Sequence, residues 1–254
     1  MLRLDDTIAI ITGAAGGIGA ATARRFIAEG ASVTIADREA GPLEDLAAKL
    51  GPRALPVVMD VSDEAATRRL VERTVETFGG LDVYFANAGI EGRVRPLVEV
   101  EIADLDRIFA VNVRGVVLGL KSAVPPMRAR GGGSFIATSS IAGLIGSAGL
   151  GPYIASKHAV LGLVKTAAVE LGPLGIRVNA ISPGPIDNRM MRSIEEQAAP
   201  GNAAAVKAGF SGLVPLGRYG TNEEIAAAAA FLASRDGGYC NGTTIVCDGG
   251  YVAR

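Results

Sequence analysis

Tyr153 and Lys157 are the residues of this sequence whose types and spacing most directly suggest chemistry. At positions i and i+4 of a helix they share one face, one turn apart. A free tyrosine ionises near pH ~10, and a nearby lysine cation favours the phenolate and lowers that pKa. The pair therefore predicts a general acid/base, with an exposed helix pair as the alternative. The neighbouring His158 points about 100° away around the helix, and we interpret it as a packing or surface residue.

A second chemical signal is the glycine-rich stretch 12–19, T-G-A-A-G-G-I-G, which follows a predicted strand and opens a predicted helix. Its glycines are Gly13, Gly16, Gly17 and Gly19, with Ile18 between the last two. Glycines permit a tight turn and close backbone approach, and a helix N-terminus offers free N–H groups to phosphates. The stretch predicts a dinucleotide site, with a glycine-rich turn that binds nothing as the alternative.

Asp37 is predicted to choose the cofactor. It ends the second predicted strand, 18 residues after Gly19. A carboxylate there accepts hydrogen bonds from both adenosine ribose hydroxyls and repels a 2′-phosphate, which favours NAD over NADP. The adjacent Arg38 could pair with that phosphate, and Asp37 could instead be a turn residue or helix cap. Asp60 and Val61, after the third strand, are predicted to lie beside the adenine.

Apolar runs alternate with helix-length segments along the chain. Strands are predicted at 7–11, 32–36, 54–59, 81–86, 134–138, 176–181 and 243–246. Helices are predicted at 17–30, 43–50, 63–78, 102–130 (interrupted near Pro125 and Pro126), 153–171 and 223–234. The strands are apolar at both parities, as in a parallel sheet covered on both faces. This order predicts an α/β fold: a three-layer, doubly wound parallel sheet (Rossmann fold) of about seven strands with helices on both faces.

One segment resists that interpretation. Residues 183–216 are rich in Gly, Pro, Met and Ala and are too long for an ordinary connector. Long loops in compact domains are usually functional, so we predict a substrate lid at about 185–216. No linker divides the chain, and we expect one domain over 1–254.

Composition narrows the class of protein. The 254 residues carry a net charge of -1, and no basic stripe for nucleic acid or anionic lipid is evident. No run of about 18 unbroken apolar residues predicts a membrane span, and the N-terminus lacks the features of a signal peptide. Cys240 and Cys247 are typical of small apolar residues in a reducing compartment, so a cytoplasmic protein is expected. Metal-ligand clustering is absent from the sequence, and no metal is predicted.

Taken together, the motifs resemble the short-chain dehydrogenase/reductase family over essentially the whole chain. The matching residues are Thr12 to Gly19, Asn87-Ala88-Gly89, Asn112, Ser140, Tyr153, Lys157, Pro183-Gly184 and Asp248-Gly249-Gly250. The joint pattern is specific for the family but not for a substrate.

The resemblance implies a role for each catalytic candidate. Tyr153 would be the general acid/base at the substrate oxygen, and Lys157 would also hold the nicotinamide ribose. Ser140, thirteen residues before Tyr153, would hydrogen-bond the carbonyl or alkoxide oxygen, with Ser139 as its competitor. Asn112 would bind a water and link Lys157 to solvent. Taken singly, Ser140 could be a strand-end cap and Asn112 a polar helix residue.

The resemblance also completes the cofactor site. The predicted residues are Gly13, Gly16, Gly17, Ile18, Gly19, Asp37, Arg38, Asp60, Val61, Asn87, Ala88, Gly89, Tyr153, Lys157, Pro183, Gly184 and Ile186. Backbone at 183–186 would reach the nicotinamide amide. The family usually has a threonine where this chain has Asn188.

The predicted reaction is hydride transfer between NAD(H) and a secondary alcohol or ketone. The apolar residues expected around the substrate suggest a cyclic or aryl compound. Segments 91–95, 141–151 and 185–216 would form its wall. One alternative is a 3-oxoacyl-[acyl-carrier-protein] reductase, although that group usually has Thr-x-Asp where this chain has Glu91-Gly92-Arg93. Another is a non-catalytic dinucleotide-binding sensor, although such proteins usually lose the tyrosine or the lysine. The resemblance further implies a homotetramer.

Overall fold

The computed structural model describes residues 3–253 and is built on a seven-stranded sheet in which every paired neighbour is parallel. The strands are β1 Ile8–Thr12, β2 Ser32–Asp37, β3 Ala54–Val58, β4 Val83–Ala86, β5 Gly133–Thr138, β6 Ile176–Pro183 and β7 Thr244–Cys247. Their order is β3-β2-β1-β4-β5-β6-β7. The order reverses between β1 and β4, and ligands of such sheets bind at the carboxyl ends of the strands beside that point. The predicted doubly wound parallel sheet is confirmed.

Helices cover both faces of the sheet. They are α1 Gly17–Ala28, α2 Ala40–Leu50, α3 Glu64–Phe78, α4 Ile102–Phe109, α5 Gly115–Ala129, α6 Gly151–Leu171, α7 Arg189–Ala198, α8 Ala203–Leu213 and α9 Asn222–Ala233. All five residues of β1 are buried, and Ile10 and Ile11 belong to separate hydrophobic clusters. The central strands are buried on both faces, which explains their apolar residues at both parities, whereas the edge strands β3 and β7 are only partly buried.

The long predicted helix is interrupted at a different place from the one expected. Pro125 and Pro126 lie inside α5 and do not end it. Each proline removes one backbone N–H donor and its bond to the carbonyl four residues earlier, and the helix nevertheless continues to Ala129. The irregularity is instead a π-helical turn at Ala110–Arg114, between α4 and α5. Such turns insert an extra residue and frequently occur at functional sites, and this one contains Asn112.

Residues 183–216 were expected to form a loop but are largely helical. They contain α7 and α8, and the Asn188 side chain caps α7 by accepting a hydrogen bond from the Met191 N–H at 3.2 Å. Gly209 and Gly212 have low helix propensity, and for this reason α8 was not predicted from the sequence.

The helical run Ile102–Ala129 is long and apolar enough to cross a membrane by length and composition. It is not the unbroken apolar run that was sought in the sequence, because Asp104, Arg114 and Lys121 interrupt it. Buried core helices pass the same test, and Val116, Leu118, Ala123 and Met127 of this run are buried within the protein. Cys240 and Cys247 are free and half-buried.

Candidate active site

A cleft of about 480 Å³ opens at the carboxyl ends of the central strands and brings together most of the predicted site residues. Of the predicted catalytic and cofactor residues, all but Gly19 and Asn112 line it. Gly19 instead packs α1 against the preceding turn, where a side chain would overlap the Gly13 carbonyl. Its role is therefore helix–strand packing, which the third glycine of a nucleotide-binding turn commonly serves.

Gly13 and Asn87 hold the ends of β1 and β4 together. Gly13 has a φ of 65°, and a Cβ there would lie 2.8 Å from the Cα of Ala88. The Asn87 amide donates to the carbonyls of Thr12 (3.1 Å) and Gly13 (3.2 Å), and its oxygen accepts from the Thr138 hydroxyl at 3.1 Å. Asn87 therefore ties β1, β4 and β5 together at the edge where the cleft opens.

Asp37 is fixed at the end of β2. One carboxylate oxygen accepts from the Ala15 N–H at 3.0 Å, and the other accepts from the N–H groups of Arg38 (2.7 Å) and Glu39 (3.2 Å). These bonds orient the carboxylate on the wall of the cleft beside the glycine-rich turn. Asp37 is thus both a turn residue and a charged group facing the cleft.

Asp60 lies on the same wall. Hydrogen bonds from the Ser62 hydroxyl and N–H, aided by the charges of Arg38 and Arg114, hold the pKa of Asp60 below its ordinary value. It is therefore a fixed negative charge at neutral pH.

Asn222 was missed by the sequence analysis. It lies at the start of α9, lines the cleft, and has a buried side-chain oxygen with no hydrogen-bond partner. A Cβ at Gly17 would lie 2.5 Å from that oxygen, so glycine at position 17 makes room for the amide. The only local signal is a helix start, since Asn222 follows the Thr221 cap, and nothing in the sequence links it to the glycine-rich turn.

Tyr153 and Ser140 meet in the deep part of the cleft. Tyr153 lies in the first turn of α6 and is 8 % exposed. Ser140 follows β5 and accepts from the Ala142 N–H at 3.1 Å. Burial raises the pKa of Tyr153, and the interaction of its hydroxyl with Ser140 offsets part of that rise. The competing Ser139 is buried and donates to the Lys157 carbonyl at 3.0 Å. The geometry therefore favours Ser140 over Ser139 as the hydroxyl available to a substrate.

Lys157 is buried one turn along α6. Its Nζ donates to the Thr138 carbonyl at 2.8 Å and lies 5.5 Å from the centroid of the Tyr153 ring. Burial lowers the pKa of Lys157 to about 8 and raises the pKa of Tyr153 to about 12, the latter with a further rise from the Glu91 charge. The expectation that Lys157 lowers the pKa of Tyr153 does not hold in this structure, because burial disfavours both charged forms.

Asn112 lies behind the catalytic residues, inside the π-helical turn. Its amide oxygen accepts from the Ile90 N–H at 2.9 Å, and its nitrogen donates to the Ile90 carbonyl (2.9 Å) and the Ser156 hydroxyl (3.0 Å). A Cβ at Gly89 would lie 3.3 Å from the Asn112 oxygen and 3.5 Å from Lys157 Nζ, so these groups converge. The side chain braces the segment after β4, and the water-relay role stays a prediction. His158 is exposed on α6, as expected.

Many side chains that line the cleft are apolar. They are Ile90, Ile141, Ile145, Leu150, Ile154, Met190, Met191, Ile194 and Phe210, and Ser147, Asn188, Arg189 and Arg192 of the same segments line it as well. The Tyr153 hydroxyl lies 3.9 Å from the Met190 sulfur. Two expected contributions to this wall are wrong: Leu144 is 40 % exposed, and segment 91–95 does not line the cleft.

The cleft fits a dinucleotide along its length. The backbone at the start of α1, next to Gly16 and Gly17, suits a diphosphate. Asp37 suits a ribose, and Lys157 with backbone at 183–186 flanks the end where Tyr153 lies. The backbone there is rigid, since Gly184 donates to the Cys247 carbonyl (2.9 Å) and Gly220 donates to the Pro185 carbonyl (2.9 Å). A bound nicotinamide would supply or accept a hydride at this end.

Known proteins match this chain over nearly its full length. A family model described as Enoyl-(Acyl carrier protein) reductase matches residues 13–252. The chain is 41% identical to levodione reductase of Leifsonia aquatica over 99% of this chain and 96% of that protein. It is also 41% identical to cis-4-hydroxycyclohexanecarboxylate dehydrogenase of Sinomonas cyclohexanicum, covering 98% of this chain and 97% of the other.

The fold matches equally closely. A crystal structure of levodione reductase superposes with a TM-score of 0.96 at 40% identity and covers 99% of both chains. The sequence motifs, the sheet order and these relatives agree. The chain therefore belongs to the short-chain dehydrogenase/reductase family and is an oxidoreductase that works with a nicotinamide dinucleotide.

Proposed function

We propose that the protein transfers a hydride between NAD(H) and an apolar, cyclic or aryl secondary alcohol or ketone. The observation that carries this proposal is the set of apolar side chains that line the cleft together with Ser140 and Tyr153, with the Met190 sulfur 3.9 Å from the Tyr153 hydroxyl. A substrate there can place one oxygen beside the two hydroxyls while its ring contacts Ile145, Leu150 and Met191. One relative, a cis-4-hydroxycyclohexanecarboxylate dehydrogenase, supports a ring-bearing substrate.

The proposed roles follow from the positions of the side chains. In the reduction, Ser140 donates a hydrogen bond to the ketone oxygen, and Tyr153 gives that oxygen its proton as the carbonyl carbon receives the hydride. Because burial raises the pKa of Tyr153 to about 12, the residue is a neutral phenol at neutral pH and can act as the acid. In the oxidation the proton returns to Tyr153. Lys157, whose Nζ lies 5.5 Å from the centroid of the Tyr153 ring, is proposed to hold the nicotinamide ribose.

NAD is the proposed cofactor. Asp37 presents a carboxylate, held by three backbone N–H groups, where the adenosine ribose of a bound dinucleotide would lie. A 2′-phosphate would meet that charge and the charge of Asp60. Arg38 lines the same wall and supports NADP as the alternative. Asn222, whose buried amide oxygen has no partner, is proposed as an additional polar group on the diphosphate side, where this acceptor would reach a phosphate oxygen through a bridging water.

Four further expectations stand as proposals. The chain forms one domain, residues 185–216 act as a substrate lid, the protein assembles as a homotetramer, and it works in the cytoplasm. Met190 and Met191 of α7 support the lid because they roof the catalytic tyrosine.

A 3-oxoacyl-[acyl-carrier-protein] reductase is the second candidate, and the match to a family model described as Enoyl-(Acyl carrier protein) reductase favours it. Such an enzyme must admit a thioester on a long flexible arm. Preference for NADP would support this candidate, since that group usually uses NADP.

Initial rates of oxidation of a panel of cyclic, aryl and acyclic secondary alcohols, with NAD and NADP in parallel, test the proposal. Turnover with NAD that disappears in Tyr153→Phe and persists in Tyr239→Phe, whose tyrosine is fully exposed, would support it. NADP-dependent turnover of a 3-oxoacyl thioester, with none on the ring compounds, would favour the second candidate. Tight NAD binding without turnover on any substrate would favour the non-catalytic sensor.

A further inference from the structure

A buried carboxylate that the proposed chemistry does not use lies in α7. Glu195 is only 3 % exposed, and its Oε1 accepts a hydrogen bond from the Tyr219 hydroxyl at 2.8 Å. Tyr219 is itself 7 % exposed. Burying a carboxylate costs free energy unless hydrogen bonds compensate for the lost water. The hydrogen bond from Tyr219 therefore stabilises α7 in the position that buries Glu195.

The backbone next to Tyr219 is hydrogen-bonded to the segment 185–187, which lines the cleft. The next residue, Gly220, donates its N–H to the Pro185 carbonyl at 2.9 Å and accepts from the Asp187 N–H at 3.0 Å. Pro185 follows directly on β6 and lines the cleft. These two backbone hydrogen bonds therefore fix the backbone beside Tyr219 to the segment 185–187, which lines the cleft where the nicotinamide is expected.

The same ring also contacts α8. Lys207 of α8 places its Nζ 5.2 Å from the centroid of the Tyr219 ring and 3.0 Å from a carboxylate oxygen of Asp187. Asp187 also pairs with Arg192 of α7 at 2.9 Å. Tyr219 thus contacts α7 through its hydroxyl and α8 through its ring face, and Asp187 pairs with both helices beside it.

We propose that Tyr219 and Glu195 are positioning residues that fasten the two helices over the catalytic tyrosine. Glu195 lies one turn after Met191 and five residues after Met190, whose sulfur lies 3.9 Å from the Tyr153 hydroxyl. Fixing Glu195 therefore fixes the apolar roof of the substrate end. The inference rests on the proposed lid role of residues 185–216 and goes beyond it by naming what holds the lid in place.

The test compares Tyr219→Phe with Tyr239→Phe, its exposed counterpart. Tyr219→Phe keeps the aromatic ring that Lys207 contacts but leaves the Glu195 carboxylate without its hydrogen-bond donor. We therefore expect α7 to move away from residue 219. We expect KM for the best alcohol to rise about tenfold or more with a smaller change in kcat. Limited proteolysis within 185–216 should become faster, while NAD affinity and the unfolding midpoint change little. Tyr239→Phe should match the wild type in all four measurements.

Two further variants exclude a general folding defect. Glu195→Gln keeps a hydrogen-bond acceptor for the Tyr219 hydroxyl. This single variant should therefore retain most of the wild-type KM and protease resistance. Combining Tyr219→Phe with Glu195→Leu replaces both polar partners by apolar groups, which is often nearly neutral. The double variant should therefore resist proteolysis better than either Tyr219→Phe or Glu195→Leu.

Wild-type KM and protease resistance in Tyr219→Phe would overturn the inference. So would equal damage in the double variant and in the single variants. If the wild type turns over none of the alcohols, the proposed function fails, but the proteolysis comparison still decides whether this pair holds the two helices.

Discussion

Replacing Lys157 by methionine should abolish turnover and yet stabilise the protein near neutral pH. Burial lowers the pKa of this lysine from 10.5 to about 8. The folded protein therefore binds the lysine proton more weakly than the unfolded chain, and keeping the charged form near pH ~7 costs about 3 kcal/mol at about 1.4 kcal/mol per pKa unit. Methionine fills a similar volume without a charge. It loses the hydrogen bond to the Thr138 carbonyl, which offsets about 1 kcal/mol.

The net expected gain is about 2 kcal/mol near neutral pH, and its pH dependence is the distinctive part. Between the folded pKa of about 8 and the unfolded value of 10.5, the unfolded chain binds more protons, so wild-type stability rises with pH. At about pH 10 the remaining cost of the charge is about 1 kcal/mol, which the lost hydrogen bond balances. The advantage of Lys157→Met should therefore fall from about 2 kcal/mol to near zero over this range.

Urea unfolding followed by far-ultraviolet circular dichroism measures the difference, because the chain contains no tryptophan to serve as a fluorescence probe. Protein concentration must be equal in all samples, so that any assembly contributes equally. Lys165→Met is the matched control, since Lys165 lies on the same helix with its side chain exposed. A Lys157→Met protein less stable than the wild type near neutral pH, or a difference that does not shrink towards pH ~10, would refute the reasoning.

Three further predictions concern the proposed reaction. Because the pKa of Tyr153 is raised to about 12, the phenolate fraction grows with pH, and initial rates of alcohol oxidation should rise between about pH 6 and pH 8 while ketone reduction does not. A fall in the oxidation rate over that range would contradict this role. Asp37→Ala should shift the ratio of kcat/KM for NAD over NADP towards NADP by about tenfold or more, and an unchanged ratio in parallel assays would remove Asp37 as the selector. Gly17→Ala should weaken NAD binding measured by calorimetry, because its Cβ would lie 2.5 Å from the Asn222 oxygen. Adding Asn222→Ala should recover part of that affinity, and no recovery would mean that Gly17 acts only through its backbone.

The sheet could be predicted from the sequence because burial on both faces leaves a local pattern of apolar residues in the central strands. A strand covered on both faces must be mostly apolar at both parities, and every residue of β1 and β4 is buried. The cofactor edge could be predicted for a related reason. Parallel strands place their carboxyl ends together, so residues that follow different strands, such as Asp37 and Asn87, had to meet there.

Features that depend on contacts between distant segments could not be predicted. The π-helical turn at Ala110–Arg114 has no local marker, whereas Pro125 and Pro126 are conspicuous and are tolerated inside α5. Asn222 reaches the glycine-rich turn only because α9 packs on α1. The pKa of Tyr153 was predicted with the wrong sign because the spacing of Tyr153 and Lys157 reveals their proximity but not their burial.

The site divides its polar side chains into those that fix geometry and those that remain available. Asn87 and Asn112 have both amide atoms bound to other parts of the chain, and Ser139 is bound to the Lys157 carbonyl. Ser140 and Tyr153 lie between these braced elements, with their hydroxyls in the cleft. An acid/base pair must keep its geometry without neighbouring groups competing for its protons. Saturating the surrounding amides achieves this, because side chains whose hydrogen bonds are already made have little tendency to bind the hydroxyls intended for a substrate.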